Sequence, residues 1–420
     1  MCDTVAGQLI ISFASLDEAG HALIDDIKNE AIEHVSFRGS LRERFASLEL
    51  KMPDDFPFEF HLVEVPAGTE AFKANYLQFF YKQHMLAALS TLPNDVLGRS
   101  DMQFSVMPNH VLSLAQVSSG GAKVTAIDFT FDPIHATYRS MVGMSAPSST
   151  GKGVRIAILD SGIAPDHPAT VIRRRNFVNP LAKWDVDDDH GHGTVVSLII
   201  HDLVPDAEFV VFKIADDAGR ISEWDAVAAL AACSDVDVVN LSVAFGLGDR
   251  KCKTCGRESH SSRSSVFEST LGHYATSSRE PLFVAAAGNA SDPALAYPAR
   301  FGQVLAVGAI TSKYSLSSES NFGDLNHVLA AHTNHFVAPG GEPGPAGAES
   351  VGTFKSSPGA WHGTSLAAAY ATGITACRYA TSGTSAHVAS AVLPSARASA
   401  DTSHFGSHDY VKHGHGVLRS

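Results

Sequence analysis

Short, continuous apolar runs stand at residues 154–159, 208–214, 236–243, 282–287 and 304–310 and leave few ways for this chain to fold. Each has the length of a strand, and none shows the strict apolar–polar alternation of a strand with one wet face. Runs of this kind are strands covered on both sides. Helix-like stretches, residues 221–233 for example, separate several of them. Strand and helix in alternation give a parallel sheet joined by right-handed crossovers. The expected class is α/β: a doubly wound, mostly parallel sheet with helices on both faces.

The first third reads differently. Residues 8–14 and 61–65 look like strands, and residues 16–34 and 70–92 like helices. In the second helix Phe72, Tyr76, Phe79, Phe80, Met85, Leu86 and Leu89 recur at helical spacing and are expected to face a core. Loops rich in Ser, Gly and Pro at 118–121 and 145–151 divide the chain. The expected organisation is a smaller α+β domain over residues 1–133, followed by the α/β domain over residues 134–420. No internal repeat is visible.

Charge and composition remove other classes. Against 44 acidic residues stand 31 basic ones, a net charge of −13, which argues against a nucleic-acid partner held by phosphate neutralisation. No apolar stretch approaches the roughly 18 to 20 residues of a membrane span. The start of the chain has no basic residue ahead of an apolar run, so no secretory signal is read. Five cysteines (Cys2, Cys233, Cys252, Cys255, Cys377) form an odd, sparse set, and the expected location is cytoplasmic.

Three glycine-marked turns carry the chemistry. Asp160 stands where the run 154–159 ends, and catalysts on parallel sheets gather at the carboxyl ends of strands. A turn-capping Asp is the alternative. His192 lies between Gly191 and Gly193 at the head of an apolar, helix-like run, where glycines let the backbone pack closely. Ser365 follows Gly363 and Thr364 and opens an alanine-rich helix. There N–H groups and the helix dipole favour developing negative charge. Simple N-capping is its other reading.

With Asp, His and Ser in that order, the chain resembles the subtilisin-like (subtilase) serine peptidases. Segments 237–242, 284–289, 297–299, 304–309, 337–340 and 413–418 also fit the family, so the likeness runs from about residue 134 to the end. It implies a serine endopeptidase acting on protein or peptide substrates without a required cofactor. Ser365 would be the nucleophile, His192 its base, and Asp160 the group that orients the imidazole. The Asn289 amide and the Ser365 backbone N–H would hold the oxyanion. Leu241, Ser242 and Val243, with Ala287 and Gly288, would line a cleft that takes an extended peptide as an added strand.

Departures from the family pattern carry their own expectations. Ala369 and Tyr370 replace the usual Pro and His after the serine, a change expected to concern packing. The family's calcium-binding loop after the histidine is shortened to residues 201–207, so calcium is not expected there. The acidic run 185–189 is expected to be a solvated loop, with calcium as its other reading. A long connection after Ser242 contains Cys252 and Cys255, half of a zinc site that His260 or His273 could complete. A reversible disulfide or exposed thiols are the alternatives, the last being preferred. His404, His408, His413 and His415 are expected at the surface.

Residues 1–133 are either an inhibitory prosegment, whose exit strand near 121–130 lies in the cleft, or a permanent regulatory or partner-binding module. The second reading is favoured. Two rival functions remain: a catalytically silent binding scaffold, and a metal-dependent hydrolase using His190, His192 and the carboxylates of 187–189. The latter leaves Ser365 without a role.

Overall fold

A computed structural model describes residues 4–14, 35–53, 56–89, 104–114, 123–244, 264–323, 334–344, 349–356, 359–382 and 387–420. The N-terminal part contributes strands β1 (Thr4–Ala14), β2 (Ser36–Ser40), β3 (Phe58–Glu64) and β4 (Phe104–Leu114), with helices α1 (Leu41–Ser47) and α2 (Glu70–Leu89). These strands form an antiparallel sheet in the order β4-β1-β3-β2. The expected helix at 16–34 lies outside the described residues.

Beyond it come β5 (Phe129–Phe131), helix α3 (Ile134–Met141), β6 (Arg155–Asp160), β7 (Thr170–Asn176), α4 (His192–Leu203), β8 (Glu208–Lys213) and β9 (Arg220–Ser222). Then follow α5 (Glu223–Ala231), β10 (Val238–Leu241), β11 (Val243–Ala244), α6 (Ser265–Thr276), β12 (Leu282–Ala286) and β13 (Val304–Ile310). The last elements are β14 (Asn334–Pro339), β15 (Gly352–Phe354), α7 (Thr364–Ser382), α8 (Val388–Ser399) and α9 (Tyr410–His413). Seven strands pair in parallel in the order β14-β13-β12-β10-β6-β8-β7, the doubly wound α/β sheet expected. Every residue of β10, β12, β13 and β14 is buried, as continuous apolar runs require.

Strand β7 has no counterpart in the sequence reading, because Arg173, Arg174 and Arg175 break its apolar pattern. The structure puts it at the sheet edge. Arg175 lays its guanidinium over the Trp184 ring, 3.6 Å from the centroid, and donates Nε to the Leu48 carbonyl at 2.9 Å. Its long stem thus covers apolar surface while its donors are satisfied.

The N-terminal sheet rests on α5 and α6 of the α/β part. Ile10, Phe45, Phe60, Leu112 and Leu114 share one apolar cluster with Trp224, Val227, Leu241 and Phe267. Arg44 reaches across to Asp225 at 2.6 Å, and His110 Nδ1 lies 2.8 Å from Glu223 Oε2 within the buried contact. The aromatic stripe of α2 is a correction: Phe72, Tyr76 and Phe79 are exposed, whereas Ala74 and Leu77 face the small core of Leu9, Ile11, Val63 and Val65. An offset of about two residues, half a turn, suffices to reverse a helix face, and spacing alone does not say which stripe is covered. The side chains of Phe80, Met85, Leu86 and Leu89 lie outside the described residues. Among the described residues, no helix is long and apolar enough to cross a membrane.

Candidate active site

Asp160 is the last residue of β6, flanked on the sheet by β10 and β8. Its Oδ1 accepts from the Ser161 N–H at 2.7 Å and lies 2.7 Å from His192 Nδ1. Both side chains are buried, so the pair is held in a low-dielectric surrounding. His192 opens α4, and the next residue has to be glycine. A β-carbon at Gly193 would stand 2.2 Å from the Gly162 carbonyl oxygen and 3.2 Å from Asp160 Cβ. The close approach inferred from the glycine spacing is therefore real.

Ser365 is the second residue of α7, a helix buried along its first fourteen positions and packed against α4. Its Oγ donates to the Ser242 carbonyl at 3.5 Å, and Ser242 Oγ donates to the Ser365 carbonyl at 3.3 Å. His192 Nε2 is buried and makes no hydrogen bond among the described residues. Catalytic contacts are often long without substrate. Leu241, Ser242 and Val243 are buried where β10 runs into β11, beside the serine turn.

Asn289 follows β12. Its Oδ1 accepts from both the N–H and the hydroxyl of Thr364, at 2.9 and 2.8 Å, which leaves the amide nitrogen pointing toward Gly363. Ala287 and Gly288 lie in the same buried turn; Gly288 donates to Thr364 Oγ1 at 3.2 Å. Asn321 braces the turn by accepting from the N–H groups of Ala290 and Asp292.

The acidic run 185–189 is not a solvated loop. Asp188 is fully buried, and its two oxygens accept from Ser161 Oγ, the N–H groups of His190, Gly191 and Thr194, and Thr194 Oγ1, all within 3.0 Å. It thereby ties the turn bearing Asp160 to the turn bearing His192. Asp189 pairs with Lys213 and Lys123, which hold its carboxyl below the usual range although burial acts the other way. Sequence reasoning missed Asp188 because a buried carboxylate and a solvated one look alike in a run of five. Replacing Asp188 by alanine strands five buried donors at about 1–3 kcal/mol apiece before relaxation. A fall in melting temperature of about 10 °C is expected by calorimetry, and an unchanged transition would deny it this bracing role.

Tyr370 is indeed a packing residue: it is fully buried and its hydroxyl bonds His135 Nδ1, whose Nε2 meets Asp202 at 2.9 Å. Of the expected exit strand at 121–130, residues 129 and 130 belong to β5, which pairs with β15. The end of β4 runs between β9 and β11 and pairs with both. His413 is buried, its ring stacked on Phe405 at 3.9 Å, whereas His404 and His408 are exposed. Cys252, Cys255 and His260 lie outside the described residues; His273 packs edge-on to Phe56. Among the described residues, no three His, Cys, Asp or Glu are gathered to hold a metal ion.

A buried Asp–His pair at the carboxyl end of a parallel sheet, with a serine at a neighbouring helix N-terminus, defines a hydrolase-like site. The Subtilase family profile matches residues 151–408, and the chain belongs to that family. Subtilisin BL of Lederbergia lenta is 31% identical over 196 residues, 44% of this chain and 66% of the relative. Alkaline protease of Alkalihalobacillus alcalophilus is 30% identical over 196 residues, 44% of this chain and 47% of the relative. Subtilisin NAT of Bacillus subtilis subsp. natto is 27% identical over 226 residues, 49% of this chain and 53% of the relative. The chain thus spans about half to two thirds of the length of the curated relatives it matches.

Proposed function

We propose that this protein is a serine endopeptidase that cleaves protein substrates through an acyl-enzyme. The observation that carries the reading is the buried 2.7 Å pair of Asp160 and His192 beside the α7 terminus bearing Ser365. Ser365 Oγ attacks the scissile carbonyl and gives its proton to His192 Nε2. The same proton then passes to the leaving amine, and water repeats the sequence on the ester. Asp160 accepts from Nδ1–H and so keeps Nε2 as the basic nitrogen. The Asn289 amide and the Ser365 N–H receive the oxyanion. Ser242 and Val243, which follow Leu241 out of the central sheet, offer the edge on which a substrate strand pairs, and Ala287 and Gly288 leave room for the side chain at the bond cut.

We further propose that residues 1–133 form a domain that holds this protease in check. Val111, Leu112 and Ser113 pair antiparallel with Ser222, Ile221 and Arg220 on one side, and Ser113 and Leu114 with Ala244 and Val243 on the other. Leu114 N–H also donates to the Gly219 carbonyl at 3.1 Å. A substrate would need this same groove, so the favoured role is occupation by the chain's own strand. A stable intact chain by mass measurement would point to a permanent module, and self-cleavage after β4 to a prosegment.

The test is adduct mapping. A fluorophosphonate probe is expected to add to Ser365 of the full chain once β4 is displaced, with Asn289→Ala slowing peptide turnover by about 10²–10³. A folded, displaced chain with no adduct would leave the silent binding scaffold as the better reading.

A further inference from the structure

The turn before the nucleophile carries a histidine–carboxylate contact that the triad chemistry does not use. His362 is buried, and its Nδ1 lies 2.5 Å from Glu319 Oε1. Glu319 is also tied to the Asn289 turn, its carbonyl accepting from Ser291 N–H at 2.9 Å. Gly363 stands between the two groups. A β-carbon there would meet Asn289 Nδ2 at 2.7 Å and Glu319 Oε1 at 3.3 Å. The carboxylate and the amide therefore crowd the same face of one glycine.

That closeness creates a conflict. A carboxylate accepts hydrogen bonds more strongly than a neutral carbonyl and takes the nearest donor left to it. Here the amide assigned to the oxyanion stands beside the same glycine as the carboxylate. An uncovered carboxylate at this point would also repel the negative charge that forms on the substrate. We propose that His362 is a positioning residue: its N–H occupies the Glu319 carboxylate, so that the Asn289 amide stays turned to the substrate oxygen. The inference rests on the endopeptidase reading above and concerns the same site.

Three substitutions separate this role from mere packing. His362→Phe keeps the ring volume and removes the N–H. His362→Asn keeps a donor near the position of Nδ1. Glu319→Gln removes the charge. The measurements use the full chain carrying Leu112→Asp and Leu114→Asp: kcat and KM on a peptide anilide, and the rate of fluorophosphonate addition to Ser365. His362→Phe is expected to lower kcat by about 10–100-fold with KM within about twofold, below the ceiling for loss of an oxyanion donor. His362→Asn is expected within about threefold of its parent, and Glu319→Gln added to His362→Phe should restore most of the loss.

A double variant as slow as His362→Phe, or Glu319→Gln alone slowing the enzyme equally, would overturn the proposal and leave a packing role. Probe addition to the parent chain together with that failure would spare the protease reading. A parent chain that is folded, with β4 shown by hydrogen exchange to be displaced, yet takes no probe defeats both.

Discussion

Changing Ser365 to alanine is expected to lower peptide turnover by about 10⁶-fold and to abolish fluorophosphonate addition, with the melting temperature nearly unchanged. The scale is that of a serine, its base and the base's partner acting as one unit, as in the subtilisin relatives. His192→Ala should cost about as much, because without a proton acceptor the hydroxyl is a weak nucleophile. Asp160→Asn should cost about 10⁴-fold, since the amide stabilises the wrong imidazole tautomer. The effects should not add. Turnover of the Ser365→Ala/His192→Ala chain close to that of either single variant is the expected signature. Activity surviving Ser365→Ala, but lost to a chelator, would instead favour a metal-dependent mechanism.

The second large effect concerns the strand in the groove. Leu112 and Leu114 are buried in the apolar cluster that joins the two halves of the molecule. Each leucine contributes roughly 1.5–3 kcal/mol through burial, and a carboxylate put in its place must be desolvated or leave. Leu112→Asp with Leu114→Asp should free β4 from β9 and β11 while the parallel sheet, built from residues 155–339, keeps its own core. Peptide hydrolysis by the full chain should rise by about 100-fold, the factor that nearly 3 kcal/mol represents. Hydrogen exchange at Leu114, Val243 and Ile221 should quicken in parallel. A folded double variant no more active than its parent would mean that β4 braces the cleft without blocking it.

Much of this was legible in the residues. The apolar runs specified a parallel sheet because strands buried on both faces leave no polar alternation, and five of its seven strands stand where those runs lie. Asp160, His192 and Ser365 were legible because each sits in a turn with glycine, where close backbone approach leaves a local trace in sequence. Asn289 was visible only through the family likeness, since an asparagine after a strand carries no signal of its own.

What the sequence could not express were distances between segments far apart along the chain. The pattern of α2 announces an amphipathic helix, but which stripe is covered depends on the sheet beneath, and Phe72, Tyr76 and Phe79 turned outward. The run 185–189, with its four aspartates, conceals one carboxylate, Asp188, that five donors from two turns have drawn inside. The end of β4 reads as an ordinary strand until its partners are known, and those come from residues more than a hundred positions away. Glu319 and His362 are likewise strangers in sequence. Sequence alone determined the sheet, the order of the residues proposed as the triad and the turns that hold them, because those depend on local pattern. Burial of charge, occupancy of the groove and the pairing beside Asn289 were decided by tertiary packing, which brings together groups that local pattern never compares.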